Sequence, residues 1–397
     1  MSIADTTIAA SRPAWLAPDK LGVLIALIAG AGAALPFTLF RANRIVPGEP
    51  RALLEALPGL PAFSLVAILF AGFLVALLRF PVAAKLIAGF AALAALLVAL
   101  GWSASYLTPE GDTFARISPG AGFWLLTLAF ALLVTDALAR LRFAPLIRIA
   151  ILLAVCVAMA ALLWSGSWSD LSLLREYGTR APAFWAETRT HLALSFGSVA
   201  IATVVGVPLG ILCHKVKPLR AAVLNVLNIV QTIPSIALFG LLIAPLAWIA
   251  ANIPFASAIG ISGIGTAPAM VALFAYSLLP VVSNTVVGLQ NVSPAAVDAA
   301  RGMGMTGAQR LFSIELPLAF PVILTGIRIV LVQNIGLTTI AALIGGGGYG
   351  VFVFQGIGQT AMDLVLLGAV PTVALAFAAA VVLDAIVEMT ARRGRGA

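Results

Sequence analysis

The chain has 397 residues, of which 62% are hydrophobic and only 10% charged, with a formal net charge of +8 and a mean hydropathy of +1.11. No water-soluble fold of this length can withdraw that much apolar side chain from solvent, so the composition excludes a soluble globular protein and makes the bilayer the solvent. The positive charge is spread over short loops and not gathered on one face, which argues for membrane orientation and against nucleic acid as a partner.

A helix needs roughly 20 apolar residues to cross the hydrocarbon core, where its internal hydrogen bonds satisfy the backbone. About ten stretches qualify, at 21–40, 62–78, 84–103, 120–138, 149–166, 191–213, 222–245, 267–289, 320–344 and 365–386. The first apolar run is too long for a secretory signal and no clean cleavage site follows it, so it reads as a retained helix. The expectation is an all-α polytopic membrane protein. Five spans fall in residues 1–166, an N-terminal extension with short connections and Asp136 as its only acid near a span. Residues 167–190 carry Asp170, Arg175, Glu176, Arg180, Glu187 and Arg189 among Leu, Phe and Trp, which predicts an amphipathic connector on the outer surface. The remaining spans lie in 191–397.

Charge orients the spans, because basic loops stay cytoplasmic. With the N-terminus inside, the cytoplasmic side receives Arg12, Lys20, Arg79, Lys85, Arg140, Arg142, Arg148, Lys215, Lys217, Arg220, Arg301, Arg310, Arg328, Arg392, Arg393 and Arg395. That is 16 of the 23 basic residues, leaving Arg41, Arg44, Arg51, Arg116, Arg175, Arg180 and Arg189 outside. Both termini then lie in the cytoplasm. Cys156 and Cys213 fall inside spans without metal-ligand spacing and read as packing residues. His191 and His214 lie near opposite ends of one span, so they cannot share a metal, and both read as boundary residues.

Polar side chains inside spans usually face the bundle interior or a wet path. Asn225, Asn228, Gln231 and Thr232 recur at near-helical spacing before Pro234, which disturbs that helix. A second group comprises Ser277, Pro280, Ser283, Asn284 and Thr285, next to Tyr276. Asn228, Gln231, Thr232, Pro234, Tyr276, Pro280, Asn284 and Thr285 are therefore candidates for a translocation path or gate. Interhelical hydrogen bonding uses the same residue types and stands as the alternative. Arg328 sits about 13 Å into its span at 1.5 Å per residue. A structural ion pair accounts for it better than substrate contact, with Asp384 as a candidate partner.

Between two late spans lies a polar loop, 290–319. Ser293-Pro294 is a helix-start signal, with Ser as N-cap and Pro at the first helical position. A short helix is expected from Pro294 to about Arg301, broken by Gly302 and Gly304. Thr306-Gly307-Ala308-Gln309 fits a capping box that starts a second helix, and Pro317 is expected to end it. The result would be a compact helix, turn and helix able to enter a groove on a partner.

The run Asp298-Ala299-Ala300-Arg301-Gly302-Met303-Gly304, followed nine residues later by Ile314-Glu315-Leu316-Pro317, resembles the EAA signature of ABC importer permeases, with Asp298 where Glu is usual. The resemblance extends from His191 to about Asp384. It is carried by His191-Leu192-Ala193-Leu194-Ser195, Gln231-Thr232-Ile233-Pro234-Ser235, Tyr276-Ser277-Leu278-Leu279-Pro280, Asn284-Thr285 and Ile344-Gly345 through Tyr349-Gly350. Over this half of the chain the sequence is similar to permeases of the osmoprotectant branch, which import glycine betaine, choline and related quaternary amines. The resemblance implies a type I importer permease core at 191–397, with Asp298, Ala299, Ala300, Gly304, Ile314, Leu316 and Pro317 forming the loop that couples to an ATPase. It further implies two cytoplasmic ATPase subunits binding ATP-Mg, a second permease subunit and an extracytoplasmic solute-binding protein that does most of the selecting. Transport would proceed by alternating access, with no covalent chemistry and no cofactor on this chain. The chain has no G-x-x-x-x-G-K-[ST] loop, and the run Gly345–Gly348 reads as a tight re-entrant or extracytoplasmic turn. Two rivals remain: an ion-gradient-driven secondary transporter, weakened by the scarcity of intramembrane acids, and a non-transporting scaffold or sensor.

Overall fold

The computed structural model describes residues 18–43 and 46–393, without the side chains of Arg392 and Arg393. Arg12, Arg44 and Arg395 of the charge pattern lie outside the described residues. Among those described, nine helical stretches are long and apolar enough to cross a membrane, and Lys20–Ala34 is a shorter apolar helix. The first span predicted by the sequence is thus an α-helix of 15 residues, about 22 Å at 1.5 Å per residue and shorter than a ~30 Å hydrocarbon core. Residues Thr38–Arg41, at the end of that predicted span, pair as a strand instead.

The chain divides into two compact units, residues 1–144 with 155–175, and residues 145–154 with 176–397. In the first, α1 (Lys20–Ala34), α2 (Gly59–Leu77), α3 (Val82–Leu107) and α4 (Ala121–Leu141) pack around Phe37, Leu96, Ile117, Phe130 and Leu133. Strands β1 (Thr38–Arg41), β2 (Glu49–Arg51) and β3 (Arg116–Pro119) form a small antiparallel sheet in the order β2-β1-β3. Polar groups gather at the helix ends. Asp19 caps α1 by accepting from Leu21 N–H, and the fully buried Lys85 donates to its Oδ2 at 2.6 Å. Arg140 pairs with Asp136 at 2.9 Å and reaches Asp19 at 3.5 Å. The Lys85 ammonium holds the Asp19 carboxyl below its ordinary range, against the opposing effect of burial.

Helix α5 (Pro145–Trp164) divides between the units at Ala154. Cys156 is exposed on it, so it is not the packing residue its sequence context suggests, whereas Cys213 is buried.

Helix α6 (Ser172–Lys215), which belongs to the second unit from Glu176 onward, is a single helix of 44 residues. The segment predicted as a surface-lying connector is therefore mostly the first half of a helix that continues into the next span. Ala181, Ala183 and Ala186 favour helix, and a Glu176–Arg180 pair at 3.4 Å adds support one turn apart. The span predicted at 222–245 is instead α7 (Lys217–Thr232), α8 (Ser235–Leu241) and α9 (Ile243–Asn252). Pro234 separates α7 from α8, and α7 is too rich in Asn, Gln and basic residues to cross lipid alone. Helices α10 (Thr266–Gln290), α13 (Leu316–Ala341), α14 (Gly350–Gly358) and α15 (Met362–Arg393) complete the bundle, with α11 (Pro294–Gly302) and α12 (Gly307–Arg310) in the connecting loop.

Candidate functional site

The loop between α10 and α13 is built as a projecting knob. Pro294 opens α11 at a position where its missing N–H breaks no helical bond, but Ser293 makes no side-chain cap. The proline alone sets the start, correcting the expected Ser cap. Helix α11 ends at Gly302, and Gly304 reverses the chain at φ +77°, in the left-handed region. The capping box then forms as its sequence predicts: Thr306 N–H donates to Gln309 Oε1 at 2.8 Å, and Gln309 N–H donates to Thr306 Oγ1 at 3.3 Å.

Pro317 does not end the second helix. Leu311–Glu315 forms a π-turn in which Leu316 N–H donates five residues back to Leu311 O, and the helix runs on into α13. A proline within an α-helix loses one bond and clashes with the carbonyl four residues earlier; widening the preceding turn relieves the clash. The knob is therefore fused to a membrane helix without a hinge. Within the π-turn, Glu315 is nearly buried and Arg310 Nε donates to its Oε1 at 2.6 Å, stiffening the joint.

Of the predicted coupling residues, Ala300 is buried, while Asp298, Ala299 and Gly304 are exposed. Asp298 pairs with Arg301 at 3.3 Å. Ile314 and Leu316 are half-buried in the joint and Pro317 is exposed. Met303 and Phe312, at 72% and 67% exposure, present apolar surface on the same knob, a feature the sequence motif does not advertise.

The eight path candidates are distributed over several separate helix contacts. Pro280 has no N–H to offer the carbonyl of Tyr276, four residues earlier, and Gln231 Nε2 from α7 donates to that carbonyl at 2.9 Å. Tyr276 Oη donates in return to Ile233 O, at the break before Pro234, at 2.5 Å. Gln231, Tyr276 and Pro280 thus form one interhelical fastening. Asn284 donates to Pro280 O at 2.8 Å and sits where α13 approaches through Gly326, whose added Cβ would lie 2.7 Å from Asn284 Cβ. Thr285 is fully buried and meets α6 at Gly210. Asn228, Thr232 and Pro234 are exposed on or beside α7.

The buried polar centre lies elsewhere. Asn334 on α13 is fully buried, and its Nδ2 donates to Ser198 Oγ of α6 and Ser277 Oγ of α10, each at 2.8 Å. Its Oδ1 has no hydrogen-bond partner among the described residues. Its spacing with Thr338, and that of His191, Ser195 and Ser198, mark single helix faces in the sequence. His191 is fully buried within the protein, and its Nδ1 accepts Tyr349 N–H at 3.3 Å. Arg328 pairs with Asp384, the partner its sequence position suggests, and Asp384 also receives Arg148 Nη1 at 2.7 Å. Arg148 reaches Glu388 as well.

A polytopic bundle bearing a motif-carrying knob fused to a long membrane helix defines the class: this is a multi-pass ABC importer permease. The chain belongs to the family described as the binding-protein-dependent transport system inner membrane component, whose profile matches residues 206–396. Residues 19–174 match a second profile, described as the N-terminal domain of the ABC transporter permease YehY. The chain is 44% identical over 197 residues to the osmoprotectant import permease protein OsmW of Salmonella typhimurium, covering 50% of this chain and 85% of that one. It is 36% identical over 207 residues to the glycine betaine/carnitine/choline transport system permease protein OpuCB of Bacillus subtilis, covering 52% and 86%. A solved structure of the MetNI methionine ABC transporter in inward-facing conformations aligns at 24% identity and a TM-score of 0.45, covering 53% of this chain and 95% of that one.

Proposed function

We propose that this chain is the membrane subunit of an ATP-driven importer that moves a small quaternary-amine osmoprotectant, of the glycine betaine or choline type, into the cytoplasm by alternating access. The observation that carries the reading is the hinge-free knob at 294–315. It projects two exposed apolar side chains, Met303 and Phe312, and continues into α13, so a push on it is a push on the bundle. Asp298, Ala299, Ala300, Gly304, Ile314, Leu316 and Pro317 form the part gripped by the ATPase. Two ATPase subunits bind ATP-Mg and hydrolyse it, a second permease subunit completes the path, and an extracytoplasmic binding protein delivers the solute. The knob and both termini face the cytoplasm from the inner membrane. The exposed polar face of α7, with Asn228 and Thr232, lines the path, while Gln231, Tyr276, Pro280, Asn284 and Thr285 hold the helices that border it.

The test is uptake of radiolabelled glycine betaine and choline into proteoliposomes containing the full complex, with internal or external ATP and, separately, with an imposed ion gradient. ATP-dependent uptake is expected, and Gly304→Val is expected to abolish it while leaving the permease folded in the membrane. Uptake driven by the gradient alone would mark a secondary carrier; no uptake with all partners present would mark a scaffold. Cysteine crosslinking of Met303 to the ATPase checks the grip directly.

A further inference from the structure

The run Gly345–Gly348 and the short helix after it lie at the far end of α13 from the knob. Gly345, Gly347 and Gly348 take φ of +75°, +77° and +83°, and α14 follows at once. The first bonds inside that helix come from Val351 N–H to Gly348 O and Phe352 N–H to Tyr349 O, so the N–H groups of Gly348 and Tyr349 must be satisfied from elsewhere. Two side chains one turn apart on α6 do this. Glu187 Oε2 accepts Gly348 N–H at 2.5 Å, and His191 Nδ1 accepts Tyr349 N–H at 3.3 Å. A carboxylate at the positive end of a helix is favoured electrostatically. The His191 ring also packs on Tyr349, with centroids 4.6 Å apart.

Both acceptors occupy space that only glycine leaves. An added Cβ at Gly347 would lie 2.9 Å from Glu187 Oε2, and one at Gly348 would lie 3.1 Å from His191 Nδ1. One membrane helix of 26 residues, about 39 Å at 1.5 Å per residue, separates this contact from the knob. Asn334, the buried junction of α6, α10 and α13, lies along it. A tilt of α13 driven at the knob must therefore act on the α6 contact at the other end.

We propose that Glu187 and His191 are positioning residues that latch segment 345–358 onto α6, and that each transport cycle requires the latch to open. The two bonds join a side-chain pair to backbone N–H groups, so they can part and re-form without burying a new charge elsewhere. The proposal rests on the permease reading above and assigns the outer gate of that machine.

Thr190 and Gly347 supply a lock. An added Cβ at Gly347 would lie 3.7 Å from Thr190 Cβ, close to the ~3.8 Å mean across a disulfide. In the assembled transporter, Thr190→Cys with Gly347→Cys is expected to crosslink on oxidation and lose the glycine betaine and choline uptake that the reduced protein retains, with recovery on reduction. The Cβ added at Gly347 displaces the Glu187 carboxylate, so the reduced double variant is the reference. Each single variant should be indifferent to oxidant. Uptake by the crosslinked protein at the reduced protein's rate would overturn the latch.

A second measurement keeps the latch residues intact and needs no solute. Spin labels at the exposed positions Ala186 and Ile357 should give one short distance in nucleotide-free complex and a longer population with ATP trapped on the partner ATPase. An unchanged distribution would overturn the proposal. His191→Phe, which keeps a ring but no acceptor, should move the nucleotide-free complex towards the longer population, and Glu187→Gln, which keeps an acceptor, should not. If the wild-type complex imports neither solute, the functional reading fails, and the label distances still decide the latch.

Discussion

The two units of this chain solve the same problem, packing helices in lipid, and both use glycine for close backbone approach, but they place their polar groups differently. The N-terminal unit draws helices together until backbones touch: an added Cβ on Gly22 would lie 1.9 Å from Ala76 O, and one on Gly122 would lie 2.5 Å from Leu35 O. It places charges such as Lys85 and Asp19 at helix ends, where they neutralise each other. The C-terminal unit puts polar groups in mid-span, with Asn334, Ser198, Ser277 and Thr338 fully buried, and admits Pro208, Pro280, Pro321 and Pro371 inside helices. Close backbone contact between glycines and carbonyls has one good geometry. Side-chain hydrogen bonds to serines and proline-freed carbonyls can exchange partners at similar energy. Since glycine contacts as close occur in the C-terminal unit too, at Gly350 against Thr339 O and Gly368 against Tyr349 O, the difference lies in its mid-span polar groups and helix-internal prolines.

Breaking the ion pair in the first unit should have the largest effect on stability. Asp19→Ala leaves Lys85 buried without its carboxylate and is expected to destabilise by about 3–5 kcal/mol, while Asp19→Ala with Lys85→Met should recover most of that. Thermal unfolding in detergent reads both, and ATP-coupled uptake per folded molecule should not change. Because the Asp19 carboxyl is held low by Lys85, its contribution is complete above the ordinary carboxylate pKa. It is lost as pH falls through the folded-state value, so unfolding temperature should be flat from neutral pH downward and drop only in the acid range.

In the second unit, Gln231→Ala strips the donor from the Tyr276 carbonyl that Pro280 has already deprived, for about 1–3 kcal/mol. Here uptake per ATP hydrolysed should fall as well; an unchanged ratio would make this fastening as passive as the first unit's ion pair. Asn334→Ala should lower stability by about 1 kcal/mol, given the modest worth of hydrogen bonds between membrane helices. Its larger signature is expected in coupling. Asp384→Asn should have the smallest effect, within about 1 kcal/mol, because the amide oxygen still accepts from Arg328 and Arg148 keeps Glu388.

The helical membrane class was legible from composition, and the knob from its caps, because both depend on local chemistry: Thr306 and Gln309 sit within one turn. The Arg328–Asp384 pair was legible because a charge in a span demands a partner. The role of Gln231 was not, since its acceptor is a backbone carbonyl 45 residues away, exposed by a proline on another helix. The contact His191 makes was not legible either, since its donor, Tyr349 N–H, lies 158 residues away beyond a glycine turn. Pro317 read as a stop because a π-turn has no sequence signature of its own.

That π-turn also fixes an angle. A five-residue step in place of a four-residue one acts as a single inserted residue, and each residue of an α-helix advances the azimuth by about 100°. The direction in which Met303 and Phe312 face around the axis of α13 is thus set by residue count across Leu311–Glu315. Shortening that stretch by one would leave the Thr306 cap in place, return the Pro317 clash to the joint and aim the knob about a quarter-turn away.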